Sequence, residues 1–478
     1  MLASLSQAQG GLYPLPTDRF GADFRRDRGG TIAAYDVALL HIGWYSDWGV
    51  SLNPPRPGGI EYVQLVWVAN GQFMSLTELG PMVDANPGSL WMIGNEPECI
   101  HQGNNTPEQY AQAYHQLYTF IKARDAGAQV AIGGVVQPTP LRLEWLNLAL
   151  NAYQTAYGQP MPVDVWNIHN MILPEVRDGW GCEIPRGLEA DSGRLYTVDD
   201  NDNIDIFTQH IIDFRTWMSD RGQRNKPLII SEYGVLMPSE YGFPAARVNA
   251  YMNATFDFML AARDEATGYP ADENRLVQRW AWFSLNDRPW NPDTGAGFNG
   301  ALFDYRYSEY PGVLTSHGVN FKAYTDALLR TDCAIQGSVA LQGRPSPPSI
   351  QWSIPLTVTV ASTSFAVTTD QSGNFTISGL MPGIYNIKVK NGHTLANIRR
   401  NVTIVSGNNS VHLGTLLEGD ADNNNIVNIV DFSILRSGFS PGFDPRADFN
   451  DDGVVNITDF SLLRTNFYRV GDIVVSVP

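Results

Sequence analysis

The sequence has few cysteines, few basic residues and no long apolar run. Its 478 residues include 32 Lys and Arg against 49 Asp and Glu, which gives a formal net charge of −17 at pH 7. A chain this acidic repels nucleic-acid phosphates and anionic lipids, so neither is expected as a partner. No stretch of 18 apolar residues occurs, and no transmembrane span is predicted. The composition suits a soluble, secreted protein.

The three cysteines, Cys99, Cys182 and Cys333, are few and odd in number. Two interpretations stay open. The thiols are free and buried, where cysteine behaves as a small apolar residue. Alternatively, Cys99 and Cys182 form a disulfide in an oxidising compartment, because each follows a predicted strand whose end faces the same side of the fold.

Two short apolar runs in this chain end in a glutamate. Leu90–Ile93 is followed by Gly-Asn-Glu-Pro, which places Glu96 just beyond a buried strand, and residues 227–234 (Pro-Leu-Ile-Ile-Ser-Glu-Tyr-Gly) place Glu232 in the same way. Strands of a parallel barrel are apolar because they are buried on both faces, and polar residues at their C-terminal ends lie where such enzymes carry out their chemistry. The two carboxylates are therefore predicted to share one mouth.

Strand and helix patterns alternate throughout residues 1–333. Thr106 and Pro107 begin a predicted helix that runs to residue 124, and a short amphipathic helix is predicted over residues 31–40. This alternation implies parallel strands joined by helices, and the length fits a (β/α)8 TIM barrel. Residues 171–203, rich in Gly, Asp and Pro, are predicted to be a long insertion at the mouth.

The two glutamate strands resemble those of the retaining glycoside hydrolases built on (β/α)8 barrels, the Glu/Glu clan A. Asn95-Glu96-Pro97 is similar to the strand end that carries the acid/base, and Glu232 to the nucleophile. The resemblance implies a hydrolase that cleaves a β-linked poly- or oligosaccharide with retention, through a covalent glycosyl-enzyme and without a cofactor. Such enzymes hold the two carboxyl groups about 5 to 5.5 Å apart.

The same resemblance implies a set of substrate contacts. Asn95 would hydrogen-bond the sugar 2-hydroxyl. Trp282, on the last barrel strand, would be a stacking platform, unless it is the one of Trp280 and Trp282 that packs in the barrel core. Relatives often carry a tyrosine that holds the nucleophile where this chain has Met171, and Tyr233 is the candidate to replace it.

Three further side chains have two interpretations each. His169, at the end of a predicted strand, either contacts substrate or is a hydrogen-bonded core histidine. Trp44 and Trp48, on the second predicted strand and its loop, either line a sugar subsite or pack in the core. Aromatic rings serve both purposes, because they bury large apolar area and also stack on sugar faces.

After Cys333 the pattern changes to short alternating strands with Gly, Pro, Asn and Ser turns. This pattern predicts an Ig-like β-sandwich over residues 334–418. Residues 373–385 (Gly-Asn-Phe-Thr-Ile-Ser-Gly-Leu-Met-Pro-Gly-Ile-Tyr) resemble the carboxypeptidase-regulatory-like and collagen-adhesin B-type modules. In those families the module is usually a spacer, so no chemistry is assigned to it.

Residues 419–469 contain a duplication. Residues 420–431 and 448–459 form matching loops, and each continues into Phe-Ser-x-Leu-Arg. Oxygen-bearing side chains with a backbone carbonyl at the seventh position are what an EF-hand-like Ca²⁺ loop requires. The segment resembles a type I dockerin, which implies a small α-helical module with two Ca²⁺ ions. The predicted ligands are Asp420, Asp422, Asn424, Ile426, Asn428, Asp431, Asp448, Asn450, Asp452, Val454, Asn456 and Asp459.

The dockerin resemblance implies a cohesin-like or surface partner, although Ile429-Val430 and Ile457-Thr458 stand where dockerins often have Ser/Thr pairs. Residues 470–478 predict a short strand that adds to an open sheet edge, either of its own chain or of a neighbouring chain. The predicted substrate is a carbohydrate, and the expected location is extracellular, either secreted or at a cell surface. A second function stays open, namely a non-catalytic carbohydrate-binding or structural protein on the same barrel.

Overall fold

The computed structural model describes residues 13, 15–28, 30–306, 312–329, 333–361, 363–405, 407–439 and 441–475. These residues form two compact units that divide after Asp326. Within the described part of the chain, no helix is both long and apolar enough to cross a membrane.

The first unit consists of parallel strands that alternate with helices. The strands are β1 (Phe20–Asp23), β2 (Trp44–Ser46), β3 (Glu61–Tyr62), β4 (Gln64–Val66), β5 (Leu90–Ile93), β6 (Gln129–Ile132), β7 (Trp166–His169), β8 (Leu228–Tyr233) and β9 (Arg279–Trp282), with a short antiparallel pair, β10 (Phe303–Asp304) and β11 (Val313–Leu314). The helices are α1 (Leu76–Ala85), α2 (Pro107–Arg124), α3 (Pro140–Tyr157), α4 (Ile204–Asp220), α5 (Ala245–Ala261) and α6 (Ser316–Leu328). The predicted α/β alternation is confirmed.

The parallel strands are joined into a ring. One sheet has the order β3-β2-β1-β9-β8-β7 and the other the order β4-β5-β6. β3 and β4 are two parts of one chain segment interrupted at Val63, and parallel bridges from Ala131 to Val165 and from Val135 to Ile168 link β6 to β7. Because both pairs of sheet edges are connected, the C-terminal ends of these strands surround a single mouth.

The side chains of the strands alternate between the inside of the ring and the surrounding helices. The inward-facing cluster contains Trp44, Val63, Leu65, Leu90, Met92, Ala131, Val165, Ile229 and Ala281, all buried. This apolar filling closes the ring below the mouth.

Local sequence signals explain the helix boundaries. Thr106 caps α2, since its hydroxyl oxygen accepts the Gln109 amide at 3.3 Å. The helix predicted over residues 31–40 is wrong, because two 3₁₀ turns, Ile32–Ala34 and Val37–Leu40, stand in its place. The chain is extended at Tyr35, whose hydroxyl donates to the Arg28 carbonyl, and this tertiary contact overrides the helical pattern.

The second unit begins with two facing sheets. Its strands are β12 (Cys333–Leu341), β13 (Pro355–Val360), β14 (Thr363–Thr368), β15 (Asn374–Leu380), β16 (Gly383–Lys390), β17 (Asn397–Ile404) and β18 (Gly407–Leu416). One sheet has the order β15-β12-β18, and the other contains β14-β13-β16-β17. Residues of both sheets, among them Ile335, Ile377, Val358 and Val389, share one apolar core.

Two short helices and a last strand complete the second unit. They are α7 (Ile429–Gly438), α8 (Ile457–Asn466) and β19 (Ile473–Val474). β19 pairs in parallel with β17, so the end of the chain adds to its own sheet; residues 476–478 lie outside the described residues. The helices share a core with Leu395, which follows β16, and with Ile473 of β19. The two sheets and the helical module therefore form one compact unit.

Candidate active site

The two predicted carboxylates meet at the mouth of the ring. Glu96 lies three residues beyond β5, and Glu232 lies in β8. One carboxylate oxygen of each, together with a ring nitrogen of His169, all lie within 4.8 Å of one another. The side chains are 11% and 12% exposed, so both carboxylates are largely shielded from bulk water. The ring thus brings together two acids that are far apart in the sequence.

The backbone at Glu96 is unusual. Its φ is 39°, in the left-handed region that residues with a side chain seldom adopt. The Glu96 amide donates to the Gly134 carbonyl at 3.0 Å, and its carbonyl accepts the Cys99 amide at 3.0 Å. These contacts fix the turn that aims the side chain at the mouth, and strain of this kind is concentrated at functional sites.

His169, the last residue of β7, is bonded to Glu96 and is 2% exposed. Its Nδ1 lies 3.1 Å from Oε1 of Glu96 and 3.9 Å from Oε2 of Glu232. Burial acts to lower the pKa of His169, but the Glu232 and Glu96 carboxylates outweigh it, so the pKa is raised. Of the two interpretations, the structure supports the buried, hydrogen-bonded histidine, and its partner is the candidate acid/base.

Gly134, just beyond β6, makes room for His169. A Cβ atom at this position would lie 2.4 Å from Cδ2 of the imidazole, closer than two carbon atoms can approach. The glycine is therefore required by the close approach of the ring to the backbone.

Trp48 contacts the second carboxylate. Its indole Nε1 donates to Oε2 of Glu232 at 3.1 Å, and the Arg25 guanidinium lies over the indole ring at 5.5 Å from its centroid. Trp48 also lines the cavity at the mouth, as one of its two interpretations predicted. Asn95 lines it too.

Burial dominates the electrostatics of Glu232. It raises the pKa of Glu232 to about 7, with a further rise from the Glu96 charge and an opposing effect of His169 and of the Trp48 hydrogen bond. Two acids that face one cavity resist being charged together. The Glu232 carboxyl therefore keeps its proton to a higher pH than an exposed glutamate does.

Asp23 is a third acid of the site that sequence reasoning missed. It ends β1 and is 1% exposed, and burial followed by the Glu232 charge raises the pKa of Asp23 well above its usual range. Its Oδ2 has no hydrogen-bond partner within the described residues. The sequence could have indicated this residue, because Asp23 lies at the end of the apolar strand Phe20-Gly-Ala-Asp23. An acid at the end of an apolar strand is the same pattern that identified Glu232.

The cavity at the mouth has a volume of about 600 Å³. Two of its aromatic residues are well exposed, Trp67 at 39% and Phe298 at 42%. Its walls combine aromatic rings with polar groups, a combination that suits the binding of a sugar. The lining residues include Arg25, Arg26, Asp47, Trp48, Trp67, Asn95, Glu96, His101, Gln102, Met171, Glu232, Phe283 and Phe298.

Two predicted substrate contacts are wrong. Trp282 is fully buried, its Nε1 donates to the Gly300 carbonyl at 2.8 Å, and its ring packs against Tyr233. Tyr233 is buried too, with its hydroxyl 3.3 Å from that of Thr255 on α5. Both side chains lie on the outer side of the ring. Alternation from the inward-facing Ala281 places Trp282 there, and the register shift of β8 between Ile230 and Tyr233 places Tyr233 there. Phe283 is the aromatic residue that lines the cavity instead.

Trp44 also does not line the cavity. It is fully buried inside the ring, and its Nε1 donates to the Arg19 carbonyl at 3.1 Å. Of its two interpretations, core packing is therefore the observed one. Trp67, which follows β4, was missed because its segment gives only a strand signal.

Glu98, the acid nearest to Glu96 in sequence, belongs to a buried ion network. Arg142 on α3 donates from Nε to Glu98 Oε1 at 3.0 Å and forms a second ion pair with Glu175. Its Nη2 donates to the Cys182 carbonyl at 2.7 Å. All three charged side chains are fully buried, and together they anchor the insertion over residues 171–203 to α3.

The predicted disulfide between Cys99 and Cys182 is not formed. Both thiols are free and buried in one apolar cluster with Met171 and Phe283. Sγ of Cys182 points to the Pro174 carbonyl, 3.5 Å away, instead of to a second sulfur. Burial raises the pKa of both thiols, that of Cys182 to about 12, so the structure shows packed thiols at this wall of the cavity.

The duplicated loops of the second unit have one hydrogen-bonding scheme. Asp420 accepts the amides of the fifth and sixth loop residues at 2.9 and 2.8 Å, and Asp448 does so at 3.1 and 2.9 Å. The sixth residues, Asn425 and Gly453, have φ of 71° and 86°. Asparagine therefore adopts the left-handed turn that glycine supplies in the second loop.

The donor set of these loops fits a hard cation. Carboxylate oxygens of Asp420, Asp422 and Asp431 lie within 4.8 Å of one another. Asp431 and Asp459, the twelfth residues, also cap α7 and α8 through the amides of Asn428 and Asn456. Oxygen ligands in this arrangement are those that Ca²⁺ takes in loops of this kind.

Comparison with known families supports a glycoside hydrolase. Residues 30–172 match the family described as "Glycosyl hydrolase catalytic core". The match includes Glu96 and His169 and ends before Glu232. No curated protein sequence matches the chain.

Several solved structures are similar to parts of the chain. A GH128 (subgroup II) endo-β-1,3-glucanase from Pseudomonas viridiflava has 19% identity and a TM-score of 0.42, over 64% of this chain and 98% of that chain. A subgroup I endo-β-1,3-glucanase from Amycolatopsis mediterranei, bound to laminarihexaose, has 16% identity and a TM-score of 0.40, over 64% and 99%. A type II cohesin–X–dockerin complex from Acetivibrio cellulolyticus has 19% identity and a TM-score of 0.26, over 29% and 97%.

Proposed function

We propose that the first unit is a (β/α)8 glycoside hydrolase that cleaves a β-linked glucan with retention. The observation that carries the proposal is the placement of Glu96 and Glu232 at the mouth of the ring, with carboxylate oxygens within 4.8 Å. Retaining enzymes need two carboxyl groups about 5 to 5.5 Å apart, whereas inverting enzymes leave room for a water between them. The short separation supports retention.

Each carboxylate has a definite part in the proposed reaction. Glu232 attacks the anomeric carbon as the bond to the leaving oxygen breaks, and Glu96 gives its proton to that oxygen. Water then attacks the glycosyl-enzyme ester, gives its proton to Glu96 and releases Glu232. The hydrogen bond between His169 and Glu96 supports this assignment, because it places a group that can hold a proton beside the proposed acid/base.

Activity of single variants tests the assignment. Glu232→Ala and Glu96→Ala are each expected to lower turnover by several orders of magnitude, whereas the exposed Glu144→Ala on α3 is the control with normal turnover. The panel begins with β-1,3-glucan, the polymer on which the glucanases named above act, and continues with β-1,4 and mixed-linkage glucans and aryl glycosides. Azide should rescue Glu232→Ala and give the inverted glycosyl azide.

Two other results would decide against the proposal. If Glu232→Ala hydrolyses a glucan as fast as the wild type, Glu232 is not the nucleophile. If the wild type binds glucans in the cavity and cleaves none of them, the alternative function, a non-catalytic carbohydrate-binding protein, is the correct one.

We also propose that the duplicated loops bind two Ca²⁺ ions and that the second unit is a dockerin-like module on a β-sandwich spacer. The matched hydrogen-bonding of the two loops supports the metal. Ile429, Val430 and Ile457, at the starts of α7 and α8, are exposed apolar residues, at 63%, 48% and 65%, and they are the proposed contact with a cohesin-like or surface protein outside the cell.

A further inference from the structure

The Glu232 carboxylate has one side-chain hydrogen-bond donor. Trp48 Nε1 lies 3.1 Å from its Oε2, whereas Nδ1 of His169 is 3.9 Å from the same oxygen and is bonded to Glu96. Within the described residues no other side chain donates to this carboxylate. The orientation of Glu232 therefore depends on the position of a single indole.

Trp48 is itself held from several sides. Its φ is 56°, in the left-handed region, so its backbone is fixed in a turn just after β2. The Phe283 ring meets the indole edge-on at 6.0 Å between centroids. Arg25 lies over the indole, and Asp27 holds Arg25 through two hydrogen bonds of 3.1 and 3.3 Å. Such stacking of a guanidinium on an indole orients both groups.

We propose that Trp48 is the positioning residue of the nucleophile, and that Arg25 and Asp27 support it. The indole N–H holds Oε2, which leaves Oε1 to attack the anomeric carbon. This inference rests on the proposed function, because it assigns a role to a neighbour of the proposed nucleophile. It also gives Trp48 a task beyond the subsite contact that the sequence suggested.

The hydrogen bond has a measurable electrostatic effect. An N–H that donates to a carboxylate favours the charged form and opposes the effect of burial. The Trp48 bond acts in this direction on the pKa of Glu232, and so does the charge of Arg25. Removing the indole N–H should therefore leave Glu232 both less well oriented and harder to ionise.

Trp48→Phe tests the role, since it keeps an aromatic ring and removes the donor. We expect a fall in kcat of about 10- to 100-fold, the size of a lost hydrogen bond to a charged group. The acidic limb of the kcat/KM profile should move to higher pH by about one unit. Arg25→Met should move it in the same direction by less. It retains the indole N–H and is the second variant if Trp48→Phe folds poorly.

Trp67→Phe is the matched control. It removes an indole N–H from the same cavity, but Trp67 makes no bond to Glu232. It should change KM and leave the acidic limb where it is. A shift of the limb in Trp67→Phe equal to that in Trp48→Phe would mean that cavity polarity in general, and not this bond, sets the behaviour of Glu232.

A titration without substrate separates this inference from the proposed function. The Glu232 carboxyl can be followed by ¹³C NMR in glutamate-labelled protein, with the signal assigned from Glu232→Gln. An upward shift of its midpoint in Trp48→Phe supports the inference even if no glucan is cleaved, in which case only the proposed function fails. If the wild type is active, an unchanged Glu232 midpoint together with an unchanged kcat in Trp48→Phe would overturn the inference. If the wild type is inactive, an unchanged midpoint alone would overturn it.

Discussion

Lys390, the last residue of β16, forms an ion pair with Asp420, the first residue of the first duplicated loop. Asp420 is fully buried, and its other contacts are the loop amides described above. In the described part of the chain, the equivalent Asp448 has no basic partner. The sheet thus supplies a cation to one loop of the pair, which makes the two proposed Ca²⁺ sites unequal.

The first prediction is that Lys390→Met tightens Ca²⁺ binding at the first loop by about tenfold, or about 1.4 kcal/mol, because an ammonium no longer competes for the Asp420 carboxylate. Calorimetric titration of the wild type should resolve a stronger and a weaker site, and only the weaker should change. Lys388→Met is the control, since Lys388 pairs with Asp472, outside the loops. Equal effects of the two variants would contradict this prediction.

The second prediction concerns removal of Ca²⁺. A chelator should increase hydrogen exchange over residues 420–468 and leave the first unit unchanged, because folding of such small modules depends on the metal. Asp420→Ala and Asp448→Ala should each remove one Ca²⁺ per chain. Asp444→Ala, a carboxylate between the loops that pairs with Arg446, should remove none. A chain that takes up no Ca²⁺ at all would refute the metal proposal.

The third prediction follows from the raised pKa of Glu232, about 7 against an ordinary value of 4.5. The folded chain holds a proton that the unfolded chain releases above about pH 4.5, so this stability is fully present at lower pH and is lost as the pH rises through about 7. Glu232→Gln stays neutral. Its free energy of unfolding should rise relative to the wild type by about 3 kcal/mol across this range, as measured by denaturant titration. A difference between Glu232→Gln and the wild type that stays constant across this range would refute the shift.

The fourth prediction is that Arg142→Met destabilises the first unit by about 3 to 5 kcal/mol, since it leaves Glu98 and Glu175 buried without their cation. Residues 171–203 should lose hydrogen-exchange protection in the same variant. Asp191→Ala removes an exposed ion pair, with Arg177, from the same insertion and should have little effect. Equal destabilisation by the two variants would mean that the buried network does not anchor the insertion.

Much of the architecture was predictable from local signals. The helix predicted over residues 107–124 has the observed bounds, because Thr106, Pro107 and a periodic apolar face agree. Glu96 and Glu232 were found from apolar runs that end in an acid. The β-sandwich was predicted over residues 334–418, but its first and last strands, β12 and β18, were not. Their alternation of apolar and polar residues is weak, and each lies where the composition of the chain changes.

The side-chain directions were less predictable. Trp280 and Trp282 are two residues apart, so they face the same side of the strand, and their neighbour Ala281 is the one inside the ring. In a sequence, a large aromatic residue at the end of a strand suggests a sugar-stacking platform whether its side chain faces the cavity or the helices. Only the register of β9 against β1 and β8 decides the direction, and register is a property of the assembled ring.

Gly134 gives a way to classify related chains. Any side chain at this position would push the imidazole of His169 from its place, so the contact of His169 with Glu96 depends on an absent methyl group. A homologous sequence with a larger residue here, even if it keeps both glutamates and the histidine, could not keep the contact between the histidine and the first glutamate. Residue 134 thus separates chains that share these three side chains but differ in how the side chains are connected.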